Sequence, residues 1–92
     1  FEDKSGSVMT ALYRISDTDV EAAEFILHEN TPHLGIPLKD LEIRKGFLIV
    51  ALLHENQVVV PSGGTVLSPG DRVIVISHGQ GIQTFRDIFL KP

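Results

Sequence analysis

The segment that most constrains this chain is Phe47–Pro61, FLIVALLHENQVVVP. Phe47–Leu53 is apolar throughout, which marks a strand buried on both faces or the central strand of a small sheet. His54, Glu55 and Asn56 supply a turn, and QVVVP returns as the second strand of a hairpin. Pro61 closes that strand because it has no N–H to give to a ladder.

The next segment, SGGTVLSPGD, holds two turns around a short extended piece, Thr65–Leu67. Pro69, Gly70 and Asp71 fit a type II turn, with Pro and Gly at its middle positions. RVIVIS then forms another strand. Upstream, Val8–Ile15 alternates, and the set Met9, Ala11, Tyr13 and Ile15 is the more uniformly apolar, so it is expected to face the core. Ser16–Asp19 is turn chemistry. Val20–Asn30 admits two readings, a helix with Asp19 as N-cap or a turn leading into a strand at about Ala23–Glu29; the strand is preferred. Pro37 opens a short helix in which Leu38 and Leu41 share a face, and Arg44, Lys45 and Gly46 end it. Near the C-terminus Ile82, Phe85, Ile88 and Phe89 recur at helical spacing, with Gln83, Arg86 and Asp87 facing out. This predicts an amphipathic helix stopped by Pro92. The expected order is β-β-α-β-β-β-α, an α+β fold with a small, mostly antiparallel sheet and no βαβ rhythm.

The length, 92 residues, allows one domain. Folding at this size buries only about 60–65% of the unfolded surface, so association with a second copy or a neighbouring domain adds to a thin core. The start, FEDKSGS, has neither the basic region nor the apolar core of a signal peptide. A chain opening on Phe1 reads as a processed or excised fragment, with residues 1–7 a tail and 8–92 the domain. No apolar run approaches the roughly 18–20 residues that span a bilayer.

The net charge is −4, and the acidity lies in residues 1–46, with nine acids against five bases. No basic stripe is present to neutralise phosphates, so nucleic acid is not an expected partner. The absence of cysteine excludes a disulfide scaffold and a Cys-based zinc site.

Gly63 and Gly64 raise the question of a phosphate loop. Such a loop places its glycines directly before a helix, whose free N–H groups and dipole meet the anion. Here an extended piece follows, with no Gly-Lys-Ser/Thr. Gly79 and Gly81 lack the third glycine of a dinucleotide fingerprint and the βαβ unit behind it. His28, His33, His54 and His78 show no i, i+4 pair and no HExxH, and read as surface turn histidines. Nothing resembles the G-x-S-x-G elbow. Asp17, Asp19 and Glu21 lack the glycine of a Ca²⁺ loop and read as a solvated turn. The residues therefore describe a folded module that binds or associates, with no catalytic, cofactor-binding or metal-ligating set.

From about Gly35 to Ile76 the chain resembles the C-terminal domain of regulators of potassium conductance, the TrkA-C or RCK-C family. The ordered elements are Gly35, Pro37-Leu38, Asp40-Leu41, Phe47–Leu53, Val58–Pro61, Gly64–Leu67 and Gly70-Asp71-Arg72. AAEF (Ala22–Phe25) resembles the start of this domain, and FRDIF its closing helix. The resemblance implies a non-catalytic cytosolic domain, peripheral at the inner face of the membrane, that forms a homodimer and couples ligand state to a membrane K⁺ transporter or channel subunit. Alternatives are the cytosolic tail of another cation channel or antiporter, and an assembly module without ligand. NAD or ATP would bind a separate preceding domain, not this one. Some members bind cyclic di-AMP at the dimer interface. Arg44 and Pro61 fall where those members place a phosphate-contacting Arg and a pocket Pro. Leu48 stands where they carry Asn, and the Arg44–Phe47 connection is shorter, so a base-edge or ribose hydrogen bond is missing. Gly70, Asp71 and Arg72 are the structural turn that launches the last strand, and an Arg44 that caps the short helix is the structural alternative at that position.

Overall fold

The computed structural model describes residues 6–90. Five strands, β1 (Ser7–Arg14), β2 (Val20–Leu27), β3 (Phe47–His54), β4 (Gln57–Val59) and β5 (Arg72–His78), form one sheet in the order β1-β2-β5-β3-β4. All four pairings are antiparallel. β5 therefore lies at the centre and joins the β1–β2 hairpin to the β3–β4 hairpin. The second hairpin turns on Glu55 and Asn56, whose φ values of 49° and 66° match the type I′ turn that suits the strand twist.

One face of the sheet is the core. Register places Phe25 beside Val73, Ala23 beside Val75 and Leu52 beside Val73, and all of these are buried. Leu67, Ile82, Phe85, Ile88 and Phe89 close over that face from the connecting segments. The Phe85 ring lies 5.6 Å from Phe25 and 5.3 Å from Phe89, edge-on to the latter at 82°.

β1 departs from its expected pattern. A bulge between Met9 and Ala11 shifts the register, so Leu12 pairs with Ala23 and Tyr13 with Ala22. Met9 keeps its contact with the core, while Tyr13 is 67% exposed. Strict alternation fails here because the extra residue reverses the faces beyond it. The ambiguous segment is a strand, beginning at Val20 instead of Ala23 and ending at Leu27. Gly6 accepts hydrogen bonds from the His28 N–H and the Thr31 hydroxyl, and Ser7 is buried at the start of β1. Of the expected N-terminal tail, residues 1–5 lie outside the described residues, as does Pro92.

The two predicted α-helices are single 3₁₀ turns, Leu38–Asp40 and Phe85–Ile88. The N–H groups of Leu38 and Lys39 donate to the carbonyls of Thr65 and Gly63 across the neighbouring loop. Beyond the turns, the two segments pair with each other. Ile43 bridges Phe89, the Arg44 N–H donates to Ile88, and the Leu90 N–H donates to Glu42. Long-range backbone bonds thus replace the bonds a helix would make, and a helix of one or two turns has little cooperativity to resist them. The helical spacing still served burial: Ile82, Phe85, Ile88 and Phe89 are all in the core.

Candidate functional site

One candidate polar site is the hydrogen-bonded Pro69-Gly70-Asp71 turn. Gly70 has φ +89°, as the third residue of a type II turn requires, and the Asp71 N–H donates to the Ser68 carbonyl at 3.1 Å. The turn is fixed to β2 at both ends: the Gly70 N–H donates to Leu27 O, and the Leu27 N–H donates to Asp71 O. The Asp71 side chain is 3% exposed. Its Oδ2 accepts from the Ser68 N–H at 3.0 Å, and its Oδ1 lies 2.6 Å from His54 Nδ1. The register that sets Leu53 opposite Arg72 brings His54 to this carboxylate. The hydrogen bond to Asp71, and then its negative charge, raise the His54 pKa above the ordinary 6.5; partial burial opposes them and Glu55 adds a smaller push. A buried carboxylate needs such partners. Arg72, the last residue of the motif, points to the opposite face and pairs with Glu24 at 3.2 Å.

A second candidate is a cavity of about 290 Å³ beside the first half of β3. β4 pairs only with Leu52, Leu53 and His54, so the first half of β3 borders the cavity and not a second neighbour strand. Pro61, Ser62 and Gly63 form one wall, and Leu38, Lys39 and Ile43 another. Pro61 is thus on the cavity and Arg44 is not, although Ile43 just before it is. Arg44 is exposed, with its backbone tied to Ile88 and Phe47. It follows the 3₁₀ turn by four residues, too far to cap it. The cation on the cavity is Lys39, which sequence reasoning did not single out; its position depends on the Lys39–Gly63 backbone bond. Leu48 lines the same cavity with an apolar side chain.

The paired glycines Gly63 and Gly64 belong to a turn in which the Thr65 N–H donates to Ser62 O and the Ser62 N–H to Thr65 Oγ1. No helix follows them. The acidic residues near Asp19 disperse: Asp19 pairs with His78 at 3.1 Å and Glu21 with Arg14 at 3.0 Å. Among the described residues no group of three or more His, Cys, Asp or Glu is placed to hold a metal ion. Also among the described residues, no helix is long and apolar enough to cross a membrane. His33 packs against Phe89, with ring centroids 4.5 Å apart and the rings tilted by 45°. The His54–Asp71 link was not visible in the sequence, where His54 looked like one more turn histidine. Only the β3–β5 register reveals it.

The model of the TrkA-C domain matches residues 22–90. This chain belongs to the TrkA-C domain family. The matched span runs from within β2 to the end of the described residues, and includes the Gly70-Asp71-Arg72 turn, His54 and the Pro61 cavity. The chain is 25% identical over 84 residues to "Trk system potassium uptake protein TrkA homolog 2" of Methanosarcina mazei, covering 91% of this chain and 19% of that protein. It is 32% identical over 72 residues to "Trk system potassium uptake protein TrkA homolog" of Pyrococcus abyssi, covering 77% and 32% respectively. It is also 32% identical over 69 residues to the "K(+)/H(+) antiporter NhaP2" of Shewanella sp. strain ANA-3, covering 75% of this chain and 12% of the antiporter. This TrkA-C domain therefore spans a third or less of the length of the relatives it matches.

Proposed function

We propose that this chain is a non-catalytic regulatory domain of a potassium transport system. It works as a homodimer at the cytoplasmic face of the membrane and passes ligand state to a membrane K⁺ transporter or channel subunit. The observation that carries this reading is the TrkA-C match over residues 22–90, together with the similarity to relatives named for K⁺ uptake. Coupling of this kind requires that ligand and transporter each favour one of two arrangements of the dimer. NAD or ATP binds elsewhere, on a preceding domain. A domain swap tests the proposal: residues 22–90 replace the matching region of the Pyrococcus abyssi relative in cells that depend on it for K⁺. Tracer flux that keeps its response to external K⁺ supports the reading. Flux indistinguishable from that of a deletion of the region overturns it.

A second reading is the regulatory tail of a K⁺/H⁺ antiporter, and the 32% identity to the NhaP2 proteins favours it. The same swap into that antiporter separates the two.

The ligand reading centres on the Pro61 cavity. A small regulatory ligand carrying phosphate, such as cyclic di-AMP, would meet Pro61 and Ile43 as apolar walls and Lys39 as the cation, while Arg44 does not line the cavity. Titration calorimetry with cyclic di-AMP checks this. Saturable binding weakened by Lys39→Ala supports it, and the absence of saturable binding removes the ligand while leaving the assembly role.

A further inference from the structure

The His54–Asp71 contact joins residues 17 apart in the chain and so closes a loop. That loop carries β4 and then Pro61, Ser62 and Gly63, one wall of the cavity of about 290 Å³. Its second half is held by other means. The N–H groups of Lys39, Leu38 and Gly35 donate to the carbonyls of Gly63, Thr65 and Leu67, and Leu67 is fully buried. Its first half is held by little. β4 is three residues long and pairs with three residues of β3. Gln57, Val58 and Val60 are exposed, and of the residues from Gln57 to Val60 only Val59 packs against the core. A segment with so few buried contacts sits at the low end of local stability.

His54 stands at the root of this weak half, where the chain turns back into β4 and Gln57 pairs with it. The charged groups that face its ring are both acids. Asp71 reaches Nδ1 from the turn before β5, and Glu55, next to it in the hairpin, lies 3.4 Å from Nε2. Arg72 on β5 is engaged by Glu24 on the opposite face. The hydrogen bond to Asp71, and then its charge, raise the pKa of His54 in the closed loop above the ordinary 6.5. In an opened loop the ring stands in water and returns to that ordinary value. The closed loop is therefore favoured most below it, and the advantage is lost as pH rises through the raised pKa. The neutral ring can still give one N–H to Asp71, so the contact weakens without vanishing.

We infer that His54 and Asp71 form a proton-operated latch on this loop, which holds β4 and the Pro61 wall closed at acid pH and loosens them as the pH rises. Opening runs from His54 to Gly63, where the bond from the Lys39 N–H stops it. The wall of Pro61 and Ser62 then moves away from Leu38 and Ile43 across the cavity. The latch governs access to the cavity whether or not cyclic di-AMP fills it.

Amide hydrogen exchange of the chain without ligand tests it, with rates corrected for the base catalysis of exchange itself. The amides of Gln57–Val59 and Ser62 are expected to open more readily than those of the core strands β2 and β5. Their protection is expected to fall severalfold as pH rises above about 6.5 and through the raised pKa. His54→Gln, at a half-exposed position and with no ring to titrate, is expected to make that opening independent of pH. Asp71→Asn, which keeps an acceptor for the Ser68 N–H but carries no charge, is expected to do the same. A β4 that opens only together with β2 and β5 overturns the latch. So does a wild-type opening that is the same at every pH, or a pH dependence that survives in either variant. No ligand enters the measurement, so a failure to bind cyclic di-AMP removes the ligand reading and leaves the latch standing.

Discussion

Nδ1 of His54 lies 2.6 Å from Oδ1 of Asp71, and this contact ties the end of β3 to the turn that launches β5. The carboxylate is buried and the imidazole half exposed. Proton exchange with solvent is therefore open on the histidine side, while the partner that favours the charged form is held in place by the Ser68 N–H.

This gives a pH dependence of stability with a defined sign. The hydrogen bond and charge of Asp71 raise the pKa of folded His54 above the unfolded value of 6.5. Its contribution is then fully present below the unfolded pKa and is lost as pH rises through the folded one. The melting temperature is expected to fall as pH rises above about 6.5 and through the raised folded pKa. His54→Gln is expected to flatten that slope, as read by circular dichroism melts. Equal slopes in the two proteins would sink the assignment.

Asp71 is expected to cost more than its histidine partner when removed. Asp71→Ala strands the Ser68 N–H and removes the support of His54, a loss of about 2–4 kcal/mol. Asp71→Asn keeps one acceptor for that N–H and loses about 1–2 kcal/mol. Urea titrations of the three proteins rank them, and an Ala variant as stable as the Asn variant would contradict the role given to the carboxyl oxygens.

Gly46 adopts φ +94° at the entry to β3, and a Cβ there would lie 2.5 Å from Gln80 Nε2 and 3.0 Å from the His78 carbonyl oxygen. That Gln80 amide donates to Lys45 O at 2.6 Å, so it does not yield freely. Gly46→Ala is expected to destabilise by about 1–3 kcal/mol from backbone strain and crowding together. Adding Gln80→Ala is expected to recover only the crowding part. Full recovery in the double variant would show that backbone strain is negligible.

Phe85 is the keystone of the loop layer, fully buried between Phe25 and Phe89. Phe85→Ala is expected to cost about 3–5 kcal/mol, a large part of the roughly 5–15 kcal/mol that holds a domain together. Far-UV circular dichroism and thermal melts are expected to show a much lower or missing transition. A shift of only a degree or two would mean that the loops collapse to fill the space.

The strands were legible because their cause is local. Phe47–Leu53, RVIVIS and the turn residues between them carry their own conformational preferences, and the HEN and PGD turns sit where Asn56 and Gly70 permit positive φ. The ordered motif also carried the family. The resemblance named Pro61, which lines a cavity, but not Lys39, whose place there depends on a backbone bond to Gly63 made 24 residues later.

The sequence by itself determined which segments are extended, where the chain turns, which family it belongs to, and that Ile82, Phe85, Ile88 and Phe89 are apolar for the core. The tertiary structure alone decided register and partners. It set His54 against Asp71 and Glu24 against Arg72, reversed the faces of β1 at its bulge, and drew two predicted helices into a bridge between Ile43 and Phe89. The physical reason is shared by all four. Each depends on hydrogen bonds or contacts between residues far apart in the chain, and a short segment's own preference is weaker than the bonds the assembled sheet offers it.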